Sequence, residues 1–223
     1  MDNKSLDFRM VTPFRLLLAG PSGIGKTTLL FEILEKSEET MTESPSEVHI
    51  FFTHMQPAYE EYSEKSSIPI FFHTVTPSND FQCKPKSVVV FDDYQGDRQV
   101  TQVIKNFFIR KSHHENISVV HICQSLFDKD PSHRFISLNA SHMIIFASPR
   151  DPSQIVHLNK QIYPGKKNFL VSVYSAIVKE GGNRSYLLID LSPSTPEDYR
   201  LRNTCFPISS FPNAFVYVPT YNH

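Results

Sequence analysis

The chain has 223 residues, of which 40% are hydrophobic and 20% charged, and its formal net charge is −1 at pH 7. This length suits one large domain with a substantial buried core. The near-neutral charge excludes a monomer that binds polyanions through overall charge alone, so any contact with nucleic acid must come from a local patch or from converging subunits.

Cysteine usage and hydropathy bear on the cellular compartment. The three cysteines lack the spacing of metal ligands, and Cys123 lies inside an apolar run, so we interpret it as a reduced core residue. We recognise neither a signal peptide nor an apolar run long enough to cross a bilayer. These features predict an intracellular protein with no membrane span.

Strands and helices alternate along the predicted chain. A polar lead over residues 1–13 is followed by a strand at 14–19, a glycine-rich loop and a helix that ends near Lys36. The polar, acidic segment 37–46 is predicted to be a surface loop. Further strands are predicted at 47–53, 68–72, 87–93, 117–123, 142–146 and 186–190, and further helices at 57–64, 99–111, 152–161 and 167–179. This alternation predicts an α/β fold whose sheet carries helices on both faces.

Residues 20–28 contain a complete Walker A phosphate loop between the first strand and the first helix. In such a loop, backbone N–H groups and the helix N-terminus surround the phosphates, and Lys26 reaches the β- and γ-phosphate oxygens. The Thr27 hydroxyl is predicted to bind Mg²⁺, and Gly20 and Gly25 permit backbone angles or close approaches that a Cβ would prevent. The predicted ATP-binding residues are Gly20, Pro21, Ser22, Gly23, Ile24, Gly25, Lys26, Thr27 and Thr28.

A Walker B strand delivers two carboxylates. The apolar run 88–91 is followed by Asp92 and Asp93, at the carboxyl edge where ligands bind in parallel sheets. We predict that Asp92 holds Mg²⁺ beside Thr27, directly or through water. Asp93 is predicted to orient and deprotonate the attacking water. Together the two motifs predict ATP hydrolysis rather than nucleotide binding alone.

Gln124 follows the strand at 117–123. If that strand lies between the two Walker strands, Gln124 is placed to contact the γ-phosphate or the lytic water; an ordinary strand-end amide is the alternative. Hydrolysis also needs an extra cation, often an arginine of a neighbouring subunit. Arg110, Arg134 and Arg150 are candidates because each falls near a predicted element edge on the catalytic side. A surface or structural role is the alternative for each.

The motifs divide the chain into two parts. Residues 1–191 are predicted to form a single P-loop ATPase domain with its core at about 14–165. Residues 192–223 are predicted to be a C-terminal extension, because this part is rich in proline and aromatic residues, and we expect it to wrap the surface.

With these motifs, the chain resembles the viral genome-packaging ATPases of the FtsK–HerA superfamily, of the Polinton/Maverick and related double-stranded DNA virus type. The resemblance covers about residues 14–165, and its most specific part is the stretch from 113 to 151. That stretch contains His113-His114-Glu115-Asn116-Ile117-Ser118-Val119, His121-Ile122-Cys123-Gln124-Ser125-Leu126-Phe127, Arg134-Phe135-Ile136-Ser137-Leu138-Asn139-Ala140 and Ser148-Pro149-Arg150-Asp151.

The resemblance implies an ASCE-type P-loop NTPase with a mainly parallel central sheet flanked by helices. It implies a homo-oligomeric ring of about five or six subunits that uses ATP and Mg²⁺ to thread double-stranded DNA into a preformed capsid, at a capsid vertex or portal. Gln124 falls on the sensor position of the family and Asp93 on its catalytic acid. The implied location is inside the host cell, in the nucleus or the cytoplasm, or with the virion.

Three alternatives remain open from the sequence. The first is an FtsK/HerA-like DNA translocase or helicase that is not tied to packaging. The second is a P-loop small-molecule kinase, and the third is an assembly protein that binds ATP without turnover. The acid pair followed by a sensor glutamine favours water activation over phosphate transfer to a metabolite, and no arginine-rich lid segment is visible.

Overall fold

The computed structural model describes residues 7–75, 77–94, 96–127, 130–148 and 152–219, apart from the side chain of Asn183. Within these residues the chain forms one mixed sheet of eight strands. The strands are β1 (Arg15–Ala19), β2 (Val48–Phe52), β3 (Ile70–His73), β4 (Val88–Asp92), β5 (Ser118–Cys123), β6 (His142–Phe146), β7 (Tyr186–Asp190) and β8 (Leu201–Arg202).

The strand order is β3-β2-β4-β5-β1-β6-β7-β8. The six strands from β3 to β6 run parallel, and β7 and β8 add two antiparallel strands at one edge. β5 pairs with β4 on one side and with β1 on the other. The strand that ends before Gln124 therefore lies between the two Walker strands. This order confirms the predicted P-loop fold with a mainly parallel sheet.

Helices connect the strands and cover the sheet. They are α1 (Lys26–Glu35), α2 (Ser37–Thr40), α3 (Pro57–Lys65), α4 (Arg98–Asn106), α5 (Ser112–His114), α6 (Pro131–Asn139), α7 (Ser153–Ile162) and α8 (Phe169–Gly181). Among the described residues, no helix has the length and apolar character that crossing a membrane requires.

The central strands are buried on both faces because alternate side chains enter two different cores. On one face, Leu17 and Ala19 of β1 pack in a core that α4, α6, α7 and α8 complete. On the other face, Leu16 and Leu18 pack with residues of α1 and α3. Burying an aliphatic side chain of this size contributes about 1.5–3 kcal/mol. These two cores hold the carboxyl edge of β1, β4 and β5 in a fixed position.

Two segments differ from the sequence predictions. The segment 37–46 is not wholly a surface loop: it begins with α2, and Thr40 is buried, with its hydroxyl donating to the Ile33 carbonyl at 2.7 Å. Helix α6 has no counterpart in the prediction. It begins at Pro131, and the side chain of Asp130 caps it by accepting a hydrogen bond from the Ser132 N–H at 2.8 Å.

The helix predicted at 99–111 is longer and contains a π-helical turn. α4 continues through Phe107–Lys111, which is π-helical, into α5. Phe107 and Phe108 are both fully buried although they are adjacent in sequence. A π turn widens the helix locally, which allows two successive aromatic side chains to reach the same core. The insertion thus anchors the helix that leads into β5.

The segment predicted as a C-terminal extension is partly built into the domain. β8 pairs with β7 inside the sheet, and Val216 forms a further antiparallel bridge with Arg202. Leu201 and Cys205 are buried in the cores. The boundary at residues 191 and 192 is therefore not the end of the sheet. The sequence analysis did not predict β8, because a two-residue strand carries no alternating hydrophobic pattern.

Candidate active site

The phosphate loop follows β1 directly and turns sharply into α1. Its first residue, Gly20, is held by a hydrogen bond from its N–H to the Cys123 carbonyl at 3.2 Å. A Cβ on Gly20 would lie 2.7 Å from the Cβ of Phe146, so only glycine fits between β5 and β6. Gly23 and Gly25 have φ angles of +76° and +103°, in the left-handed region that glycine adopts without strain. The three glycines therefore shape the loop that the sequence predicted.

The loop borders a cleft of about 340 Å³ at the carboxyl edge of the sheet. Of the nine predicted nucleotide-binding residues, Gly20, Pro21 and Ile24 do not line this cleft, and their contact with a nucleotide stays a prediction. The lining residues are Ser22, Gly23, Gly25, Lys26, Thr27, Thr28, Gln56, Ala58, Asp92, Asp93, Ile122, Cys123 and Gln124. The fold thus brings together Thr27 and Asp92 of the two Walker motifs, which are 65 positions apart in the sequence, and Asp93 and Gln124, which are 31 positions apart.

Lys26 begins α1 and points across the loop. Its Nζ donates hydrogen bonds to the carbonyl oxygens of Gly20 and Pro21, at 2.7 and 2.9 Å. Burial lowers the pKa of Lys26, and the nearby Asp92 and Asp93 oppose this effect. The positive N-terminus of α1 lies beside this ammonium group, so the loop concentrates positive charge where a polyphosphate would bind.

Thr27 and Asp92, the residues predicted to bind Mg²⁺, are in contact. The Thr27 hydroxyl donates a hydrogen bond to Oδ2 of Asp92 at 3.1 Å, and both side chains are buried. Burial raises the pKa of Asp92, while hydrogen bonds from Tyr59 and Thr27 oppose the rise. A hydroxyl and a carboxylate in contact are the oxygen ligands that Mg²⁺ prefers. The residues therefore fit Mg²⁺, and its binding here stays a prediction.

Asp93 and Gln124 meet at the open side of the cleft. The Gln124 side-chain amide donates a hydrogen bond to Oδ1 of Asp93 at 3.2 Å, and both residues are exposed. Asp93 has a φ of +63°, a left-handed conformation that aspartate tolerates better than most residues. This turn directs Asp93 away from the line of β4, whereas Asp92 stays within the strand. The fold thus separates the two carboxylates, one buried beside Thr27 and one facing the cleft beside an amide.

The three candidate arginines have different positions. Arg134 is exposed on the first turns of α6, which follows β5 at the carboxyl edge of the sheet. Arg110 is exposed in the π-helical turn near the end of the helix that leads into β5. The Ile117 N–H donates a hydrogen bond to the Ser112 carbonyl, so this helix ends at the start of β5. This position lies toward the edge of the sheet opposite the cleft, since the helix runs back to the start of β5, and a role for Arg110 in catalysis stays a prediction. Arg150 lies outside the described residues.

Two residues in the site escaped the sequence analysis. Tyr59 of α3 is fully buried, and its hydroxyl donates to Oδ2 of Asp92 at 2.6 Å. Gln56, directly before α3, contacts the same oxygen at 3.4 Å. The only sequence signal is the pair itself, an amide and a phenol three residues apart at the start of a helix. Nothing in that spacing indicates the Walker B strand as their partner.

A cluster of potential metal ligands is formed by two residues of β5 and one of α6. The potential ligand atoms of His121, Cys123 and His133 lie within 4.8 Å of one another, and each of the three side chains is 1% exposed. Burial lowers the pKa of His121 to about 3, so its ring is neutral at physiological pH. A structural zinc site has four ligands, and a catalytic one keeps a position open to solvent. This three-residue, buried cluster meets neither description, and we assign it no cation.

Comparisons with known proteins bear on the fold. Neither a protein-family model nor a curated protein matches this sequence. Three solved structures of similar fold are those of the genome-packaging NTPase B204 of Sulfolobus turreted icosahedral virus 2 with sulfate, of the same protein with AMP, and of B204, the DNA-packaging ATPase of Sulfolobus turreted icosahedral virus.

Each of the three structures matches most of this chain at low sequence identity. The sulfate complex is 14% identical, covers 96% of this chain and 100% of B204, and has a TM-score of 0.52. The AMP complex is 15% identical, covers 82% and 94%, and has a TM-score of 0.51. The third is 15% identical, covers 95% and 100%, and has a TM-score of 0.52. The chain therefore has the P-loop fold of these genome-packaging NTPases.

Proposed function

We propose that this chain is an ATP-hydrolysing motor that translocates double-stranded viral DNA into a preformed capsid. The observation that carries the proposal is the hydrogen-bonded pair of Asp93 and Gln124, 3.2 Å apart at the open side of the cleft that the phosphate loop borders. An acid and an amide in this position can orient a water molecule against a bound γ-phosphate. This arrangement supports hydrolysis over storage of the nucleotide.

Nucleotide binding follows from the loop and α1. Residues of the loop and the first turn of α1 line the cleft, where backbone N–H groups, the helix N-terminus and the Lys26 ammonium group would contact the phosphates. Thr27 and Asp92 would hold Mg²⁺, which neutralises charge on the phosphate oxygens when it is bound. The role of these residues is to fix the triphosphate so that its γ-phosphate lies near Asp93.

Hydrolysis needs one proton transfer and one bond cleavage. Asp93 accepts a proton from water as the water oxygen bonds to the γ-phosphorus, and Gln124 orients that water by hydrogen bonding. The bond between the γ-phosphorus and the bridging oxygen breaks, which gives ADP and inorganic phosphate. Because Asp93 is exposed, it can exchange the proton with solvent after the reaction.

Completion of the site requires a neighbouring subunit. Among the described residues that line the cleft, Lys26 is the one cation. Negative charge that develops on the phosphates is stabilised by a further cation, which an arginine of an adjacent subunit can provide. Arg134 is the described candidate that best suits this role, since it is exposed and belongs to the helix that starts at the catalytic edge. We infer a homo-oligomeric ring, of about five or six subunits by resemblance.

The DNA substrate and the capsid partner rest on the packaging resemblance and on the fold. B204 is described as a DNA-packaging ATPase, and its fold spans nearly all of this chain. With a net charge of −1, one subunit has no general affinity for a polyanion, so contact with the duplex would come from a local patch or from several subunits together. A capsid vertex or portal would hold the ring. The motor would then act inside the host cell or on the assembling virion.

Phosphate release with and without double-stranded DNA tests the proposal. We expect DNA to stimulate hydrolysis by the assembled protein, and Lys26→Ala to abolish both binding and turnover. Lys65→Ala is the matched control, because the Lys65 side chain is 65% exposed on the surface of α3. Transfer of phosphate to a metabolite would contradict the proposal in favour of a kinase. ATP binding without hydrolysis, even in the presence of DNA, would favour a nucleotide-gated assembly protein.

A further inference from the structure

Tyr59 makes the shortest hydrogen bond described for the Asp92 carboxylate. Its hydroxyl lies 2.6 Å from Oδ2 of Asp92, and the side chain is fully buried. The ring contacts Phe31 of α1 edge-on, with centroids 5.9 Å apart, and Phe52 of β2 at 4.9 Å. A buried aromatic ring held by such neighbours has one orientation available, so its hydroxyl is directed at the carboxylate.

Gln56 reinforces this contact from the cleft. Its side-chain amide lies 3.4 Å from Oδ2 of Asp92 and 3.4 Å from the Tyr59 hydroxyl oxygen. Gln56 and Ala58 line the same cleft as Lys26. The start of α3 is therefore part of the wall of the nucleotide site, although α3 contains neither Walker motif.

Three donors converge on one oxygen of Asp92. Oδ2 accepts hydrogen bonds from Thr27, Tyr59 and Gln56. A carboxylate that accepts several hydrogen bonds on one oxygen cannot rotate freely about its side-chain bonds, because rotation would break all of them. The orientation of Asp92 is thus determined jointly by α1, which carries Thr27, and by α3.

Tyr62 provides an internal comparison. It lies on the same helix, three residues later, is also buried and stacks on Phe31 at 4.2 Å. Its hydroxyl, unlike that of Tyr59, is not among the described donors to Asp92 and lies near Ser66 instead. The two tyrosines share a helix, an aromatic neighbour and a buried position, and they differ in whether the hydroxyl reaches Asp92.

We propose that Tyr59 and Gln56 are positioning residues that hold the Asp92 carboxylate in its cation-binding orientation and couple the start of α3 to the cation site. This inference rests on the proposed function, since it assigns Asp92 to Mg²⁺. Neither residue touches the reacting atoms; both act through Asp92. A cation that moves Asp92 must also move the Tyr59 hydroxyl or lengthen its hydrogen bond, and α3 would respond to occupancy of the site.

The test compares Tyr59→Phe with Tyr62→Phe. Each variant loses one buried hydroxyl and keeps the ring. Binding of Mn²⁺ in the presence of ADP, followed by the loss of the free-ion electron paramagnetic resonance signal, reports the cation site without any need for turnover. The loss of one hydrogen bond to a charged group predicts about 10-fold weaker Mn²⁺ binding for Tyr59→Phe, with ADP binding in the absence of metal unchanged. Tyr62→Phe should bind Mn²⁺ like the wild type.

A second variant and the wild type distinguish a failure of this inference from a failure of the proposed function. Gln56→Ala should weaken Mn²⁺ binding in the same direction by a smaller factor, and it keeps the test valid if Tyr59→Phe does not fold. Unchanged or tighter Mn²⁺ binding in the Tyr59 and Gln56 variants would overturn the inference alone. A wild-type protein that binds neither ADP nor Mn²⁺–ADP would overturn the proposed function, and the inference with it.

Discussion

The Gln124 side-chain amide donates a 3.2 Å hydrogen bond to Oδ1 of Asp93, across the gap between β5 and β4. The two residues extend from neighbouring parallel strands, whose pairing places Asp92 opposite Ile122. This contact gives the cleft an acid whose orientation depends on the residue that follows the middle strand. A change at either residue should therefore affect hydrolysis without affecting nucleotide binding.

Replacing Asp93 tests its role as the general base. Asp93→Asn removes the proton acceptor and keeps the size of the side chain, so we expect at least a 100-fold loss of turnover. ADP affinity, measured by calorimetry, should change by less than about 3-fold, because Lys26 and the loop remain. Asp80→Asn, at an exposed acid in the loop before β4, is the control. Wild-type turnover by Asp93→Asn would show that another group accepts the proton.

Gly20 tests the close packing of the loop against β6. In Gly20→Ala the new Cβ would lie 2.7 Å from the Cβ of Phe146, so the loop or the strand must shift. Overpacking of this kind costs about 1–3 kcal/mol of unfolding free energy, which urea denaturation would measure. Gly165→Ala is the matched control, since its Cβ would meet no atom within 4 Å. Equal stability of the two variants would contradict the described packing.

Arg134 tests whether the site is completed in trans. Arg134→Ala and Lys26→Ala should each be inactive as homogeneous assemblies. In a mixed assembly, an Arg134→Ala subunit keeps an intact nucleotide site, and a neighbouring Lys26→Ala subunit supplies Arg134. Part of the ATPase activity should therefore return. The same experiment with Arg110→Ala is the comparison. If no mixture regains activity while Arg134→Ala alone is inactive, the arginine acts within its own subunit.

The assembly requirement also predicts a concentration dependence. If a neighbour completes the site, ATPase activity per subunit should rise with protein concentration and should be low in dilute, monomeric samples. Sedimentation and phosphate release measured over the same concentration range would test this. Full turnover by a demonstrated monomer would contradict the trans-acting arrangement.

Glu47 predicts how stability depends on pH. It accepts hydrogen bonds from the Lys84 N–H and from His49, both at 3.0 Å, and the Lys84 bond ties the start of β2 to the segment before β4. The Lys84 backbone hydrogen bond is the largest effect that lowers the pKa of Glu47, to about 2. The ionised Glu47 side chain therefore adds to the free energy of unfolding in full above its unfolded-state pKa. This contribution is lost as the pH falls through about 2.

The matching measurement is thermal unfolding between neutral pH and pH 2. Glu47→Gln should unfold at a lower temperature than the wild type at neutral pH, and the difference should shrink as the pH falls below about 4. Glu43→Gln is the control, because the Glu43 side chain is 50% exposed and forms a surface ion pair with Lys86. A difference that grows on acidification would contradict the described role of Glu47.

The parts of the site that sequence could predict are local. The phosphate loop is a contiguous segment whose glycines, Lys26 and Thr27 act through backbone geometry within a few residues. The acid pair follows an apolar strand, and the end of a parallel strand is where ligands bind. The contact of Gln124 with Asp93 required one further element, the position of β5, which the resemblance to packaging ATPases supplied.

The remaining features depend on contacts between distant residues. Tyr59 and Asp92 are 33 positions apart, and their contact requires the packing of α3 against β4. The position of Arg110 depends on the direction of a helix relative to the strand it precedes. The two-residue β8 has no periodic pattern and forms because β7 offers an unpaired edge. Periodicity and propensity describe single segments, so they cannot report such contacts.

The central claim is that ATP hydrolysis at this site moves double-stranded DNA. Displacement of a third DNA strand from a duplex by the assembled protein measures this movement directly. We expect ATP-dependent displacement by the wild type and none by Asp93→Asn, although both should bind the nucleotide. Hydrolysis of ATP by the wild type without displacement of the third strand, under conditions in which the protein is assembled on DNA, would contradict the account.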